Sequence, residues 1–154
     1  MKIISTFLIF FFGFKVLANE RILIKKNNEM YFFVEFADTR EKMRKGLMNR
    51  KNISEVNGML FLNKKPRIMK MWMKNTHHDL KIIFINEFKK IISIKEGKKF
   101  SEEIISSKTP VLAVLEILKS CKNFNFELGE KITWEYADLN KLEDFMDKLI
   151  FCQK

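Results

Sequence analysis

Trp72, Lys74, Asn75, His77, His78 and Asp79 lie within eight residues of one another, in the stretch MKMWMKNTHHDLKIIFI from Met69 to Ile85. Side chains of these types suit recognition. An indole face stacks on a sugar ring or carries a cation, while amide and ammonium groups fix orientation by hydrogen bonding. Alternatively, the tryptophan simply closes one end of a core. The same stretch holds the donors of a soft-metal site. Met69, Met71, Met73 and His77 would share a strand face, with His78 and Asp79 beside them, and thioether and imidazole ligands suit copper. Side chains two apart on a strand are ~6.7 Å apart, so three methionines reach one ion only if the strand bends. Two lone carboxylates add acid–base chemistry: Glu35 within MYFFVEFA and Glu116 within VLAVLEIL. A buried carboxylate is costly unless paired, so a partner is expected for each, with Arg50 or Lys74 pairing one of them. The plainer alternative puts both on edge faces in contact with water. No Ser-His-Asp arrangement stands out, and neither cysteine has a clear base partner.

The elements that must position these residues read mainly as strands. Alternation over Met69–Asn75, a polar corner through Asp79 and the β-branched run Leu80–Ile85 predict a hairpin. Short strands are expected at 21–26, 30–37, 59–62, 90–95, 111–118 and 132–137, joined by turns such as Asn57-Gly58 and Leu128-Gly129. Asp38-Thr39 can cap a short helix starting at Arg40-Glu41, with Met43 and Leu47 as its buried pair. Residues 96–109 read as a polar, basic loop with one helical turn. In the tail, Asn140 and Glu143 match a capping box, and Leu142, Phe145, Met146, Leu149 and Ile150 form one helical stripe. Its polar face is acidic, which disfavours a membrane-surface helix.

With 154 residues the chain has one domain's length. Its net charge is +10, but lysine is spread over nearly every segment. Nucleic-acid binders gather their cations on one face, so no nucleic-acid partner is expected. Two cysteines without a CxxC exclude a structural zinc site of the usual kind, and neither metal nor cofactor is expected. At the N-terminus, Lys2, the apolar run Ile3–Phe14 and Val16-Leu17-Ala18 have the form of a cleaved secretory signal over residues 1–18. Twelve apolar residues are too few to span a bilayer, which takes ~20, so no stable membrane insertion is expected after cleavage. Cleavage removes Lys2 and Lys15, leaving 27 basic residues against 19 acidic ones, a charge of +8. The expected location is the periplasm or cell envelope, among anionic envelope polymers. An even cysteine count in an exported chain favours a disulfide between Cys121 and Cys152, tying the tail to the domain.

VEFADT (34–39), GLMNR (46–50), GMLF (58–61), MWMKNT (71–76), IIFIN (82–86), VLEI (114–117) and LGEKI (128–132) occur in an order and spacing that resemble the DUF192 family, also labelled UPF0127. The resemblance spans about residues 30–136. It implies a small, mostly β, barrel-like domain with short helices, often exported, and carries no established activity. Two positions depart from the family pattern. Lys42-Met43 stands where the family has Glu-Arg, with Arg44 one place later, and Lys81 stands where it has aspartate, with Asp79 in place of proline.

The resulting expectation is an α+β fold, mostly antiparallel β, built as a small barrel-like domain over residues 19–137 with an outer C-terminal helix over 138–154. Its function is that of a non-catalytic exported module binding a small molecule or envelope glycan through Arg50, Trp72, Lys74, Asn75 and Glu116. The alternatives are a hydrolase-like enzyme using Glu116 or Asp79, and a periplasmic copper-binding protein.

Overall fold

The computed structural model describes residues 21–27, 30–53 and 57–136, with Leu149 and Cys152. The expected signal segment lies outside the described residues. So does most of the expected C-terminal helix; of its two described residues, Leu149 sits in a β-bridge and Cys152 in neither helix nor strand.

In chain order the elements are β1 (Arg21–Lys26), β2 (Met30–Ala37), α1 (Arg40–Lys45), β3 (Gly58–Arg67), β4 (Lys70–Met71), β5 (Leu80–Ile85), β6 (Ile91–Gly97), β7 (Ile105–Ser106), β8 (Val111–Leu118) and β9 (Ile132–Tyr136). Seven strands make one sheet in the order β6-β5-β8-β3-β2-β1-β9, and β4 pairs only with β7. The near-continuous apolar runs LKIIFI and VLAVLEIL become the central strands β5 and β8, buried on both faces. Such runs suit strands covered on both sides, whereas alternating strands suit half-buried ones. Around them Phe32, Leu60, Phe61, Ile82, Phe84 and Val114 form part of one core. Thr39 caps α1 by accepting the Lys42 N–H, and Gly46 ends the helix at a positive φ of 48°.

The sheet is mostly antiparallel, as expected, and within it β2 and β3 form the parallel pair. Their connection passes through α1, and such a crossover returns the chain in the same direction. The hairpin through Met69–Ile85 does not form: β4 pairs with β7, while β5 takes β6 and β8 as neighbours. Alternation here fixes which side chains face the core, Met69, Met71 and Met73, but leaves the pairing partner open. Residues 96–109 contain the end of β6 and all of β7 instead of a helical turn. Pro66 lies inside the long β3, past a register shift after Leu62, where the Asn63 amide donates to the Val111 carbonyl.

Nor does the sheet close into a barrel. Its edges β6 and β9 meet at one end only, through the Lys90–Lys131 bridge, the Ile91 N–H to the Glu130 carbonyl and the Ile132 N–H to the Lys89 carbonyl. Beyond it, residues 121–127 fill the seam. Phe124 stacks on Phe32 with centroids 4.6 Å apart. Lys81 and Lys26 donate to the Phe124 and Asn125 carbonyls. With these backbone groups satisfied by lysines, no ladder is needed there.

Cys121, fully buried, forms a disulfide with Cys152 across a sequence separation of 31. The Cys152 N–H also donates to the Asn57 side-chain oxygen, whose amide in turn donates to the Phe33 carbonyl. Removing the link with Cys121→Ser and Cys152→Ser together is expected to cost about 3–4 kcal/mol of stability in the chain-entropy picture. Urea unfolding of the oxidised protein and the double variant measures it. A second change probes the contact between β3 and β8. A Cβ on Gly58 would stand 1.8 Å from the Glu116 carbonyl oxygen, a backbone obstacle that cannot rotate away. Gly58→Ala is expected to destabilise by about 1–3 kcal/mol or more, the usual cost of overpacking, read in the same unfolding experiment.

Candidate functional site

A cavity of about 360 Å³ opens between α1, the segment after it, the end of β3 and β4, with Glu116 of β8 in its wall. The positions that shape it are set by local backbone chemistry. At Gly46 the chain takes a left-handed turn, bringing Leu47 into the core and Gly46 against the Phe61 ring, where a Cβ would approach to 3.3 Å. Asn49 and Asn75 both have positive φ, a conformation asparagine tolerates better than most residues. The Asn49 N–H donates to the Asn75 carbonyl at 2.8 Å, fastening the GLMNR segment to MWMKNT. The two motifs thus face each other across the cavity.

Glu116 is only 4 % exposed and has no hydrogen-bond or ion-pair partner among the described residues. Burial alone raises its pKa from 4.5 to about 8, because removing the charged form from water is unfavourable. The side chain is therefore a neutral carboxylic acid at pH 7, able to donate one hydrogen bond into the cavity. The sheet register sets Glu35 of β2, Met59 of β3, Glu116 of β8 and Ile82 of β5 in one row. Residues directly opposite on neighbouring strands share a face, so Glu35 and Glu116 flank Met59 on the same side. Their fates differ. Glu35 receives a bidentate pair from Arg50, at 2.6 and 2.8 Å.

Two of the five expected ligand-binding residues, Trp72 and Glu116, line the cavity; Arg50, Lys74 and Asn75 do not. Arg50 is committed to Glu35, so the partner expected for Glu116 is absent and its proton replaces it. Lys74 lies 5.4 Å from the Trp72 ring centroid and 3.6 Å from Glu102. Asn75 contributes its backbone at the corner. Trp72 is 42 % exposed at the mouth rather than closing the core. Asp79 accepts the Lys99 N–H on its carboxylate and the Lys119 N–H on its carbonyl, bracing two loops. Of the copper candidates, Met69 and Met71 line the cavity, Met73 is fully buried, His77 packs edge-on against Phe100 and His78 meets the Lys51 carbonyl. Lys81 is tied to Phe124.

The other cavity residues were not expected at the site from sequence, though Met43, Leu47 and Arg44 were placed at α1. Met43 and Met48 add thioethers, and Arg44, Lys45, Arg67 and Lys70 place four cations around a single, neutral acid. Arg67 is held by the Asn63 side chain at 2.7 Å and reaches the Met43 sulfur at 3.4 Å. Gly46 and Met48 did stand inside a family motif. Arg67 stood in no motif, and only the long β3 carries it to the mouth. Four cations around the mouth favour an anionic visitor over a metal cation.

The Glu116 proton has a consequence for stability. Its folded pKa, about 8, lies above the unfolded value of 4.5. Between those pH values the unfolded chain releases a proton that the folded chain keeps, so this group lowers stability by about 1.4 kcal/mol per unit of rising pH. Below pH 4.5 both states are protonated and the penalty vanishes. Glu116→Gln is expected to remove the slope and to be the more stable protein at pH 8. Melting temperatures of both proteins across pH 4 to 9 measure this, with the wild type falling toward alkaline pH and the variant flatter.

The family model DUF192, described as "Uncharacterized ACR", matches residues 22–134. No curated protein matches the chain. Among solved structures, a "putative transcription regulator" from Sinorhizobium meliloti 1021 is 31 % identical, with 75 % of this chain and 92 % of that one covered at a TM-score of 0.66. A protein of unknown function from Novosphingobium aromaticivorans DSM 12444 is 28 % identical, with 74 % and 84 % covered at a TM-score of 0.64.

Proposed function

This chain belongs to the DUF192 family, and within it we propose a non-catalytic, exported binding module that holds a small molecule or a short envelope glycan in the Glu116 cavity. One observation carries the proposal: a buried, protonated carboxyl with no partner among the described residues lines a cavity of about 360 Å³. That volume is in the range of small-molecule sites, which combine apolar walls with few placed polar groups. Glu116 donates to an acceptor on the ligand, and the Trp72 indole forms one wall. Thioethers of Met43, Met48, Met69 and Met71 adapt to the ligand's shape, as unbranched sulfur side chains do. Arg44 and Arg67 at the mouth draw in a ligand bearing negative charge. Export rests on the signal-like residues 1–18 and the paired cysteines.

A hydrolase reading has one observation in its favour, since a carboxyl with a pKa of about 8 is poised to transfer a proton near neutral pH. Against it, Glu116 is the only carboxyl among the described residues that line the cavity, and Glu35 on the same row is engaged by Arg50. Glycoside hydrolysis in its usual form needs two free carboxyl groups. A role like that of the "putative transcription regulator" finds little support here, because the longest helix among the described residues is the six-residue α1. Groove reading by a helix takes a longer element.

Envelope extract equilibrated with the purified protein, then followed by native mass spectrometry, separates binding from catalysis. Binding predicts a retained small molecule with unchanged extract. Glu116→Gln keeps a donor and is expected to retain that molecule within a few-fold, while Glu116→Leu loses about tenfold or more, the scale of one buried hydrogen bond. Wild-type affinity is expected to fall above pH 8, where Glu116 ionises, and that of Glu116→Gln is not. Turnover of an extract component, abolished by Glu116→Gln, would establish the hydrolase instead.

A further inference from the structure

Ile68, Trp72, Phe100 and Ile104 are four of the seven large apolar side chains that stand exposed among the described residues, and all four gather at the small β4–β7 sheet. Met71 pairs with Ile105 and Lys70 with Ser106. The same ladder carried one residue further sets Trp72 opposite Ile104, on the outer face with Lys70. Phe100 lies beside them, its N–H donating to the Thr76 carbonyl at 3.1 Å and its ring against His77. Ile68 and Trp72 are also part of the cavity mouth. Isolated exposed apolar residues are ordinary, but a cluster on one face marks a contact surface.

The charge around this cluster is predominantly basic. Arg44, Lys45, Lys64, Lys65, Arg67 and Lys70 are all exposed at or next to the mouth. A groove of about 770 Å³, sharing Met43 and Arg67 with the cavity wall, continues the basic surface along Arg40, Lys64 and Lys65. The acids nearby are Asp38, which lines that groove and pairs with Lys42, Glu41 on α1, and Glu102 and Glu103 on the edge before β7, with Lys74 standing 3.6 Å from Glu102. Long basic side chains around projecting isoleucine and aromatic rings match the boundary of an anionic lipid leaflet. There apolar tips enter the acyl edge while lysine and arginine stems reach up to the phosphates, and tryptophan prefers that depth. A protein partner fits less well, since lysine is depleted at the centre of protein interfaces. A nucleic acid would use the cations and the rings but gain nothing from exposed isoleucines.

We propose that the face formed by Ile68, Trp72, Phe100 and Ile104 with its surrounding lysines and arginines is a peripheral docking surface for an anionic lipid bilayer. The cavity then opens toward the membrane. Docking does not depend on what the cavity holds: Phe100, Ile104, Lys64 and Lys65 do not line it.

The full chain tests it through tryptophan emission. Trp134→Phe leaves Trp72 as the sole tryptophan, and bromine-labelled acyl chains quench an indole that touches them, whatever else attaches the chain to the vesicle. Labelled phosphatidylglycerol vesicles are expected to quench Trp72, and labelled phosphatidylcholine vesicles are not. Quenching is expected to fade at about 1 M salt, where screening shortens to ~3 Å. In the same background, Phe100→Ser with Ile104→Ser, and separately Lys64→Ala with Lys65→Ala, are each expected to raise the lipid concentration for half-quenching about tenfold, with folding checked by circular dichroism. No quenching at saturating anionic vesicles, equal quenching by both lipids, or half-quenching unchanged in both variants overturns the proposal. Release from vesicles by polyuridylate that binds more tightly overturns it too and assigns the face to nucleic acid. The pH dependence of ligand retention at Glu116 is a separate readout, so either reading can fail while the other stands.

Discussion

A carboxyl in the middle of a sheet with nothing to neutralise it is the constraint around which this protein is arranged. An unpaired carboxylate in a low-dielectric interior is so unfavourable that the group takes up a proton instead. Glu116 does this, with a pKa near 8. Its strand lies between β3 and β5, buried on both faces, so neither solvent nor a long cation arrives from the sheet itself. What remains is the cavity side. A neutral acid there is a hydrogen-bond donor held ready by packing rather than by a partner, and its desolvation lowers the stability of the empty protein at neutral pH. Groups that cost stability in this way mark functional sites more often than structural ones.

The surrounding architecture keeps Glu116 buried and unpaired. Gly58 allows β3 to approach the Glu116 backbone closer than any side chain would permit. Arg50, which could have reached a carboxylate, is taken by Glu35 two strands away. Gly46 and the Asn49–Asn75 hydrogen bond close the GLMNR and MWMKNT segments over the space in front of it. One row of the sheet therefore contains a satisfied ion pair and a neutral acid, with a methionine between them. The first braces the sheet. The second faces the cavity.

Outside, the distribution of charge gives the mouth a direction. Lysines dispersed along the sequence collect in space, because the end of β3, the turn after α1 and β4 converge on one edge. A cleft lined with one sign of charge concentrates its field, and the neutral state of Glu116 leaves that field unopposed. Exposed apolar side chains on the neighbouring small sheet share the edge. The β4–β7 pair is short and holds its outer residues in water, where the main sheet would have buried them.

Much was legible from residue order alone. The bounds of β1, β2 and β8, the Thr39 cap, the shared face of Met69, Met71 and Met73 and the solitary Glu116 followed from apolar period and capping chemistry, which act over a few positions. The motif series placed the chain in its family for the same reason, since motifs are local strings. Pairing was not local. That β4 would leave β5 for β7, that β3 would run parallel to β2, and that residues 121–127 would fill the seam of an open sheet depended on contacts between segments far apart in sequence. The same held for the site. Sequence supplied two carboxylates in apolar strands and one arginine able to reach either; the register of β2 against β3 and β8 decided that Glu35 would have it and that Glu116 would keep a proton instead, because an ion pair forms only where distance allows and burial protonates the carboxyl left without one.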